Sequence, residues 1–339
     1  MYHPRFQGDH YTIGLKYGSL LRKNNITLFG YDKLDYFQFE YGVQSEKILK
    51  QHFPEACAEI RGIADGLCLP YKIFSAWLLC ISVCMEVQGC SMVALNRNGH
   101  VVFGRNNDLS PIFRKISNSA LYRPERGNSF IANSSAFVCA EEGINEKGLA
   151  IGMTYVWAKK LNPGFNSMFL VRYILEKCAT VAEGIDVIKN VPIGGAFHLF
   201  LADTNGIMHA ECCPEKVLIH QGNFAFASNH FISDEMKEYE EPKDLFHSYE
   251  RYQTGTSHQG SDVNCSPVEF AKSILSGKKG FMCQYNKNLN FDTVWSSVFD
   301  VSNQIILRSE GNPLKSKYKE DIRLKKYYTG QDHEHNLGS

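Results

Sequence analysis

The chain is 339 residues long, with 44% hydrophobic and 21% charged side chains, the composition of a folded globular protein rather than a disordered one. Its 36 Lys and Arg balance 36 Asp and Glu, leaving no basic excess to hold nucleic acid or an anionic membrane surface. No apolar run reaches membrane-spanning length, since the longest, Ile73 to Val83, is short and broken by Ser75 and Ser82.

No apolar stretch of the kind found in export signals follows Met1-Tyr2-His3-Pro4-Arg5. The 11 cysteines show no CxxC pair. The expectation is reduced thiols in a cytoplasmic protein, with no structural metal and no cofactor.

The first 85 residues read mostly as helix. Ile48, Leu49, Phe53, Cys57, Ile60 and Ile63-Ala64 recur at helical spacing, and Gly66 is the expected stop. From Cys90 onward the pattern turns to short apolar strands separated by Asn-Gly-type turns. Met92 to Leu95, Asn98-Gly99 and Val101 to Phe103 predict a hairpin. Ala136 to Ala140, with a turn over Glu142 to Gly148, and Leu149 to Val156 predict another. Phe197 to Ala202 and Ile207 to Glu211 flank Asn205-Gly206. Val217 to His220 and Phe224 to Ser228 flank Gly222-Asn223. Val294 to Asp300 and Gln304 to Arg308 flank Ser302-Asn303.

Helices interrupt these strands. Met168, Val171, Ile174-Leu175 and Cys178 form one apolar face. Thr180 with Glu183, and Ser266-Pro267-Val268-Glu269, read as helix starts, the second ending at Gly277. Helices between groups of hairpins favour antiparallel α+β layers over a parallel doubly wound sheet. The charged stretch from Ser316 to Ser339, with His333 and His335, reads as a solvated tail.

Gly89-Cys90-Ser91 stands where the helical segment gives way to the first hairpin. If Asn98-Gly99 is a two-residue loop, Arg97 pairs with His100, Met92 with Arg105 and Cys90 with Asn107. Cys90 and Arg105 then share a face as diagonal neighbours, about 7–8 Å apart at the backbone. A guanidinium there favours the thiolate. Composition alone leaves open whether Gly104-Arg105-Asn106-Asn107-Asp108 is a solvated turn or a polar site.

Gly89-Cys90 followed by a hairpin ending in Gly-Arg-Asn-x-Asp resembles the choloylglycine hydrolase and penicillin V acylase superfamily. Several segments, in consistent order from about residue 6 to 314, resemble the acyl-coenzyme A:6-aminopenicillanate acyltransferase family. They are Gln7-Gly8, Ile13-Gly14, Gly18, Glu59-Ile60-Arg61-Gly62-Ile63-Ala64-x-Gly66, Ile144-Asn145-x-x-Gly148, Ser228-Asn229-His230, Ser248-x-x-Arg251, and Val294-Trp295-Ser296 through Asp300.

The resemblance implies a four-layer αββα N-terminal nucleophile hydrolase. It would cut itself between Gly89 and Cys90, giving a helical alpha chain (1–89) that stays associated with a beta chain (90–315) ahead of the tail (316–339). Cys90 would carry both the nucleophilic thiol and an α-amine of pKa about 7.7–8.0, able to serve as its base. Asp108 would orient that amine, Arg105 would flank the thiol, and Asn229 would donate to the oxyanion. Ser248 and Arg251 would be structural or touch substrate. Where relatives carry an Asn as second oxyanion donor this chain has Thr154, and a late arginine of some relatives is absent, with Gln284 nearby. The implied substrate is a small-molecule linear amide, with acyl-coenzyme A as a candidate acyl donor. A papain-like Cys/His hydrolase and an inactive, ligand- or partner-binding family member are the competing readings.

Overall fold

The computed structural model describes residues 1–84, 89–244, 246–259, 265–288 and 290–328. It opens with strand β1 (Arg5–Gly8), followed by helices α1 (His10–Lys23), α2 (Tyr36–His52), α3 (Pro54–Leu67) and α4 (Tyr71–Cys80). Asp9 caps α1, and Asp35 with Gln38 forms a complete capping box on α2. The single helix expected around Ile48 to Ala64 is two. Pro54 cannot continue a helix from the preceding turn, so α2 ends and α3 starts there with proline in its first turn. The stop is Cys68 in the left-handed region (φ 59°), not Gly66.

Gly66 belongs to a close helix crossing. A Cβ on Gly14 or Gly18 of α1 would fall 2.1–2.2 Å from carbonyl oxygens of Glu59 or Ile63. One on Gly62 or Gly66 of α3 would fall 2.2–2.6 Å from those of Tyr11 or Leu15. The glycine spacing of the N-terminal segment is therefore explained by backbone-to-backbone packing of α1 on α3.

The chain continues through β2 (Gly89–Arg97), β3 (His100–Leu109), β4 (Asn118–Pro124), β5 (Phe130–Ser134), β6 (Glu142–Asn145), β7 (Ala150–Val156), α5 (Ser167–Lys177), α6 (Val181–Asn190), β8 (Ala196–Asp203), β9 (Gly206–Cys212), β10 (Val217–Gly222) and β11 (Phe224–Ala227). It ends with α7 (Asp234–Lys237), α8 (Ser248–Thr256), α9 (Pro267–Leu275), β12 (Tyr285–Asn286), β13 (Phe291–Asp300), β14 (Ile305–Ser309), β15 (Lys319–Asp321) and α10 (Arg323–Tyr328). One sheet runs β1-β4-β5-β6-β7-β8-β9-β10. The other runs β11-β2-β3-β13-β14-β15, with β12 on β13. Among the pairings of the described strands, β1–β4 alone is parallel.

Met92, Phe103, Ile131, Phe200 and Phe299 pack between the sheets. Ile60, Met153, Leu170, Ile174 and Leu199 pack outside the first sheet, and Val93, Val102, Phe270 and Val298 outside the second. The result is the antiparallel αββα sandwich that the sequence implied. Phe6, Ile13, Tyr17 and Trp77 share one continuous core with Phe130 and Phe169, so the segment before Cys90 is built into the body. No single described helix is long and apolar enough to cross a membrane.

Three further expectations are corrected. Ala136 to Ala140 is a loop, and the hairpin is β6–β7; Glu141 pinches that loop by accepting from Ser135 N and Oγ. β10 and β11 are not a hairpin, because the chain crosses between sheets at Gly222-Asn223, where Asn96 N–H donates to the Asn223 carbonyl. The expected tail begins as edge strand β15, held by Asp321 between Arg308 and Arg323. His333 and His335 lie outside the described residues.

Candidate active site

Asn98 (φ 54°) and Gly99 (φ 82°) both adopt positive φ, the conformation a two-residue hairpin turn requires. That turn fixes the register: Arg97 pairs with His100, Met92 with Arg105 and Cys90 with Asn107. Cys90, Met92 and Ala94 share the face of β2 turned toward the other sheet. From the diagonal position on β3, Arg105 Nη2 donates to Cys90 Sγ at 2.9 Å.

Arg105 is wholly buried. Its Nε donates to the Met153 carbonyl (2.7 Å), Nη1 to Glu142 (3.0 Å) and Nη2 also to Glu141 (3.4 Å). Glu142 is held in turn by Asn133 Nδ2 (2.7 Å) and Trp295 Nε1 (3.1 Å). Burial alone would pull the guanidinium pKa down. The neighbouring thiol and two carboxylates outweigh it and hold the group charged. Burial pushes the Glu141 carboxyl up, against the pull of Arg105 and Ser135. Sequence reasoning missed both glutamates, taking Glu142 for the start of a turn. The available signal was a pair of acids set into an apolar stretch.

A second cluster holds the Cys90 backbone. Asn229 Oδ1 accepts from Cys90 N–H (3.0 Å) and from Arg251 Nη2 (2.7 Å), while its Nδ2 donates one hydrogen to the Tyr155 carbonyl (2.8 Å). Arg251 Nη1 donates to Ser91 Oγ (2.9 Å) and to the Cys90 carbonyl. Ser248 Oγ accepts from Asn229 N–H at 2.7 Å. Ser248 and Arg251 thus join the site as the mount of Asn229. Gln284 donates to the Phe246 carbonyl, which also accepts from Arg251 Nε.

The loop carrying Asn229 has further ties that the sequence reading missed. His198 on β8 lies 2.8 Å from the His230 carbonyl. Glu240 accepts from Phe231 N–H, and Glu211 on β9 accepts from Ile232 N–H, both at 2.6 Å. Burial, reinforced by His198 and Arg251, pulls His230 down to about 4 and keeps it neutral.

Asp108 lies on the outer face of β3 opposite Gly89. Its Oδ1 accepts from Thr293 Oγ1 at 2.5 Å. Its Oδ2 has no hydrogen-bond partner among the described residues and stands 4.0 Å from Arg251 Nη1. Burial raises its pKa to about 6 against the opposing pull of Arg251 and Thr293. Gly89 is strand-like, and its lack of a side chain answers to crowding. A Cβ there would lie 3.3 Å from Asp108, Phe246 and Phe291.

Thr154 lies between Met153, whose carbonyl binds Arg105, and Tyr155, whose carbonyl binds Asn229. Its hydroxyl is buried and has no hydrogen-bond partner among the described residues. The same residues contain no group of three or more His, Cys, Asp or Glu that could hold a metal ion.

Two antiparallel sheets between helical layers, with a thiol at the start of a central strand, define the N-terminal nucleophile hydrolase class of fold. Residues 95–315, more than half of the chain and beginning just after Cys90, match the family described as acyl-coenzyme A:6-aminopenicillanic acid acyl-transferase. The chain belongs to that family, as its sequence motifs implied. Among solved structures it is similar to penicillin V acylase from Agrobacterium tumefaciens (18% identity, 65% of this chain and 82% of that one, TM-score 0.44). It is also similar to a variant of conjugated bile acid hydrolase from Clostridium perfringens (13% identity, 68% and 92%, TM-score 0.49). A comparison with curated protein sequences finds no match.

Proposed function

We propose that the protein is a self-processing cysteine amidase or acyltransferase. It would cleave a linear carbon–nitrogen amide through a Cys90 thioester. The observation that carries this reading is the Arg105 guanidinium 2.9 Å from Cys90 Sγ, with Asn229 on the nitrogen of the same residue. In the first step Cys90 Sγ adds to the Gly89 carbonyl carbon while the thiol proton passes to the Cys90 nitrogen. The Gly89–Cys90 bond breaks, and the nitrogen leaves with a proton as the new α-amine. Water then hydrolyses the Gly89 thioester, freeing the thiol.

In turnover, that amine takes the thiol proton while the thiol attacks the substrate carbonyl. Thr154 Oγ and the second Nδ2 hydrogen of Asn229 are the donors for the developing oxyanion. The departing amine collects the proton, leaving an acyl thioester on Cys90. Water as acceptor gives hydrolysis and an amine gives transfer; an acyl-coenzyme A donor would load the same thiol by thioester exchange. Asp108 Oδ2, on the residue opposite Gly89 and without a hydrogen-bond partner among the described residues, would receive the α-amine once it is free. The alpha chain stays bound through the shared core, and the enzyme acts in the cytoplasm.

The test is intact-mass analysis of the purified wild type and Cys90→Ala. Wild type should give two chains cut at Gly89–Cys90, and the variant one chain of full mass. A variant cut at the same bond would refute self-cleavage.

A further inference from the structure

β8, β9 and β10 close one edge of the first sheet, and their register sets four ionisable side chains on its inner face. His209 pairs with Phe200 on one side and with His220 on the other, while Glu211 pairs with His198. Phe200 packs between the sheets, and side chains paired with it, or two residues along, face the same way.

Hydrogen bonds fix where each ring carries its hydrogen. His198 Nε2 lies 2.8 Å from the His230 carbonyl, which can only accept, so Nε2 is the donor. Burial pulls the His198 pKa down and keeps the ring neutral, leaving a lone pair on Nδ1. His209 Nε2, 2.8 Å from that Nδ1, must then be the donor. Burial pulls His209 down as well, so its Nδ1 is also a lone pair. His220 Nε2 lies 2.9 Å from Glu211 Oε2, a carboxylate oxygen that accepts, and the neutral ring again keeps its lone pair on Nδ1. Neither of these last two Nδ1 atoms has a hydrogen-bond partner among the described residues.

Both rings line one cavity of about 180 Å³, together with Phe224, Phe226, Tyr252 and Gln259. No Lys, Arg, Asp or Glu is among its described lining residues. The ring centres are 5.2 Å apart and inclined by 32°. At a metal–nitrogen length of ~2.0–2.1 Å one ion joins two nitrogens up to ~4 Å apart, a separation that rings this close can reach. A carbonyl or carboxylate behind a histidine fixes its tautomer and raises the basicity of the free nitrogen, which is how metal-binding histidines are held. Glu211 stands behind His220, and the His198–carbonyl pair stands behind His209.

We infer that His209 and His220 bind one borderline divalent transition-metal ion of the Zn²⁺ type through their Nδ1 atoms, with water in the cavity completing its shell. Nitrogen donors with no carboxylate in the lining disfavour Ca²⁺ and Mg²⁺. Two ligands leave half of a tetrahedral shell open, unlike a closed structural site. The residues behind the two rings also hold the loop of Asn229, His198 at the His230 carbonyl and Glu211 at the Ile232 N–H. A bound ion would therefore tighten that loop from the edge of the sheet.

The test titrates Zn²⁺ into the full-length chain and into its His220→Gln variant, both carrying His333→Ala and His335→Ala so that the tail histidines do not compete. The His220 side chain is 40% exposed, so its replacement should leave the fold intact. The 11 cysteines are common to both proteins and cancel in the comparison. By calorimetry, one Zn²⁺ site of the parent should weaken at least ~tenfold in His220→Gln, since losing only the partner behind a ligand already costs ~10–100-fold. In ¹⁵N-histidine spectra, metal-free His198 and His209 should carry hydrogen on Nε2, and Zn²⁺ should shift the Nδ1 signals of His209 and His220. Hydrogen exchange at Ile232 should slow with Zn²⁺ in the parent and not in the variant. Equal affinity in the two proteins, unshifted Nδ1 signals, or hydrogen on His209 Nδ1 would overturn the site. Zn²⁺ binding that leaves Ile232 exchange unchanged would overturn its tie to the Asn229 loop.

Discussion

Replacing Thr154 by valine sets stability against catalysis. The Thr154 hydroxyl is wholly buried and has no hydrogen-bond partner among the described residues. A hydroxyl left in that state costs about 1–3 kcal/mol. Valine keeps the branched shape and removes the cost. Unfolding entropy of ~2.1 cal/mol/K per residue gives a chain of this size a Tm rise of about 1–4 °C. If the same hydroxyl donates to the oxyanion, its loss lowers kcat about 10²–10³-fold with a much smaller change in KM. Thr154→Ser keeps the donor and should recover most of the rate. Self-cleavage passes through a similar tetrahedral state and should slow in parallel. The assays are thermal denaturation, single-turnover acylation of Cys90, and the time course of chain cutting by mass. An unchanged kcat in a stabilised variant would return Thr154 to a packing role. A destabilised variant would mean that the hydroxyl has a partner in solution, and the argument fails at its first step.

Arg105→Gln leaves Glu141 and Glu142 buried without their cation and should cost ~3–5 kcal/mol of stability. Adding Glu142→Gln should restore much of that stability but not the rate of Cys90 alkylation; a double variant no more stable than the single one would contradict the pairing. Glu211→Ala strips the acceptor from Ile232 and Ser233 and should lower kcat roughly tenfold by loosening Asn229, with recovery in Glu211→Gln; an unaltered kcat would remove Glu211 from the mount. His10 on α1 lies 2.9 Å from Glu59 and 3.0 Å from Glu176, and Arg172 joins both carboxylates. Burial pulls its pKa down, but the two carboxylates outweigh that and raise it to about 9. Because the folded value is raised, the stabilisation, on the order of 3 kcal/mol, is complete below about pH 6.5 and lost as pH climbs through about 9. Tm should fall over that window in wild type and much less in His10→Asn; equal pH dependence would refute the assignment.

What the sequence made legible was local. Asn98-Gly99 admits one tight turn, and with a period of two everything along β2 and β3 follows, including the approach of Arg105 to Cys90. Ser266-Pro267 likewise marks the start of α9 by its own chemistry. What stayed hidden was chemistry completed from a distance. Glu141 and Glu142 look like surface residues until Arg105, more than thirty positions upstream, is laid between them. β4 and β5 lack a clean alternation because polar Asn118, Ser119 and Asn133 are buried in a sheet covered on both faces. Val217–Gly222 and Phe224–Ala227 carry the pattern of a hairpin, and only the second sheet's need for an edge strand beside β2 separates them.

Burial explains why such a thiol would act first on its own chain. Cys90, Arg105, Asp108 and Arg251 have essentially no solvent exposure with Gly89 and Cys90 consecutive in β2. In that state the Gly89 carbonyl is bonded directly to the nucleophile's own residue, while a free amide must displace packed strand to reach it. Effective molarities of about 10⁵ M and above for well-placed intramolecular groups favour the internal carbonyl over any solute. Breaking the Gly89–Cys90 bond would remove the tethered carbonyl and exchange an amide N–H, engaged with Asn229, for a titratable amine. On that reading the same Arg105–Cys90 contact would serve two electrophiles in succession, first the Gly89 carbonyl and then the substrate's.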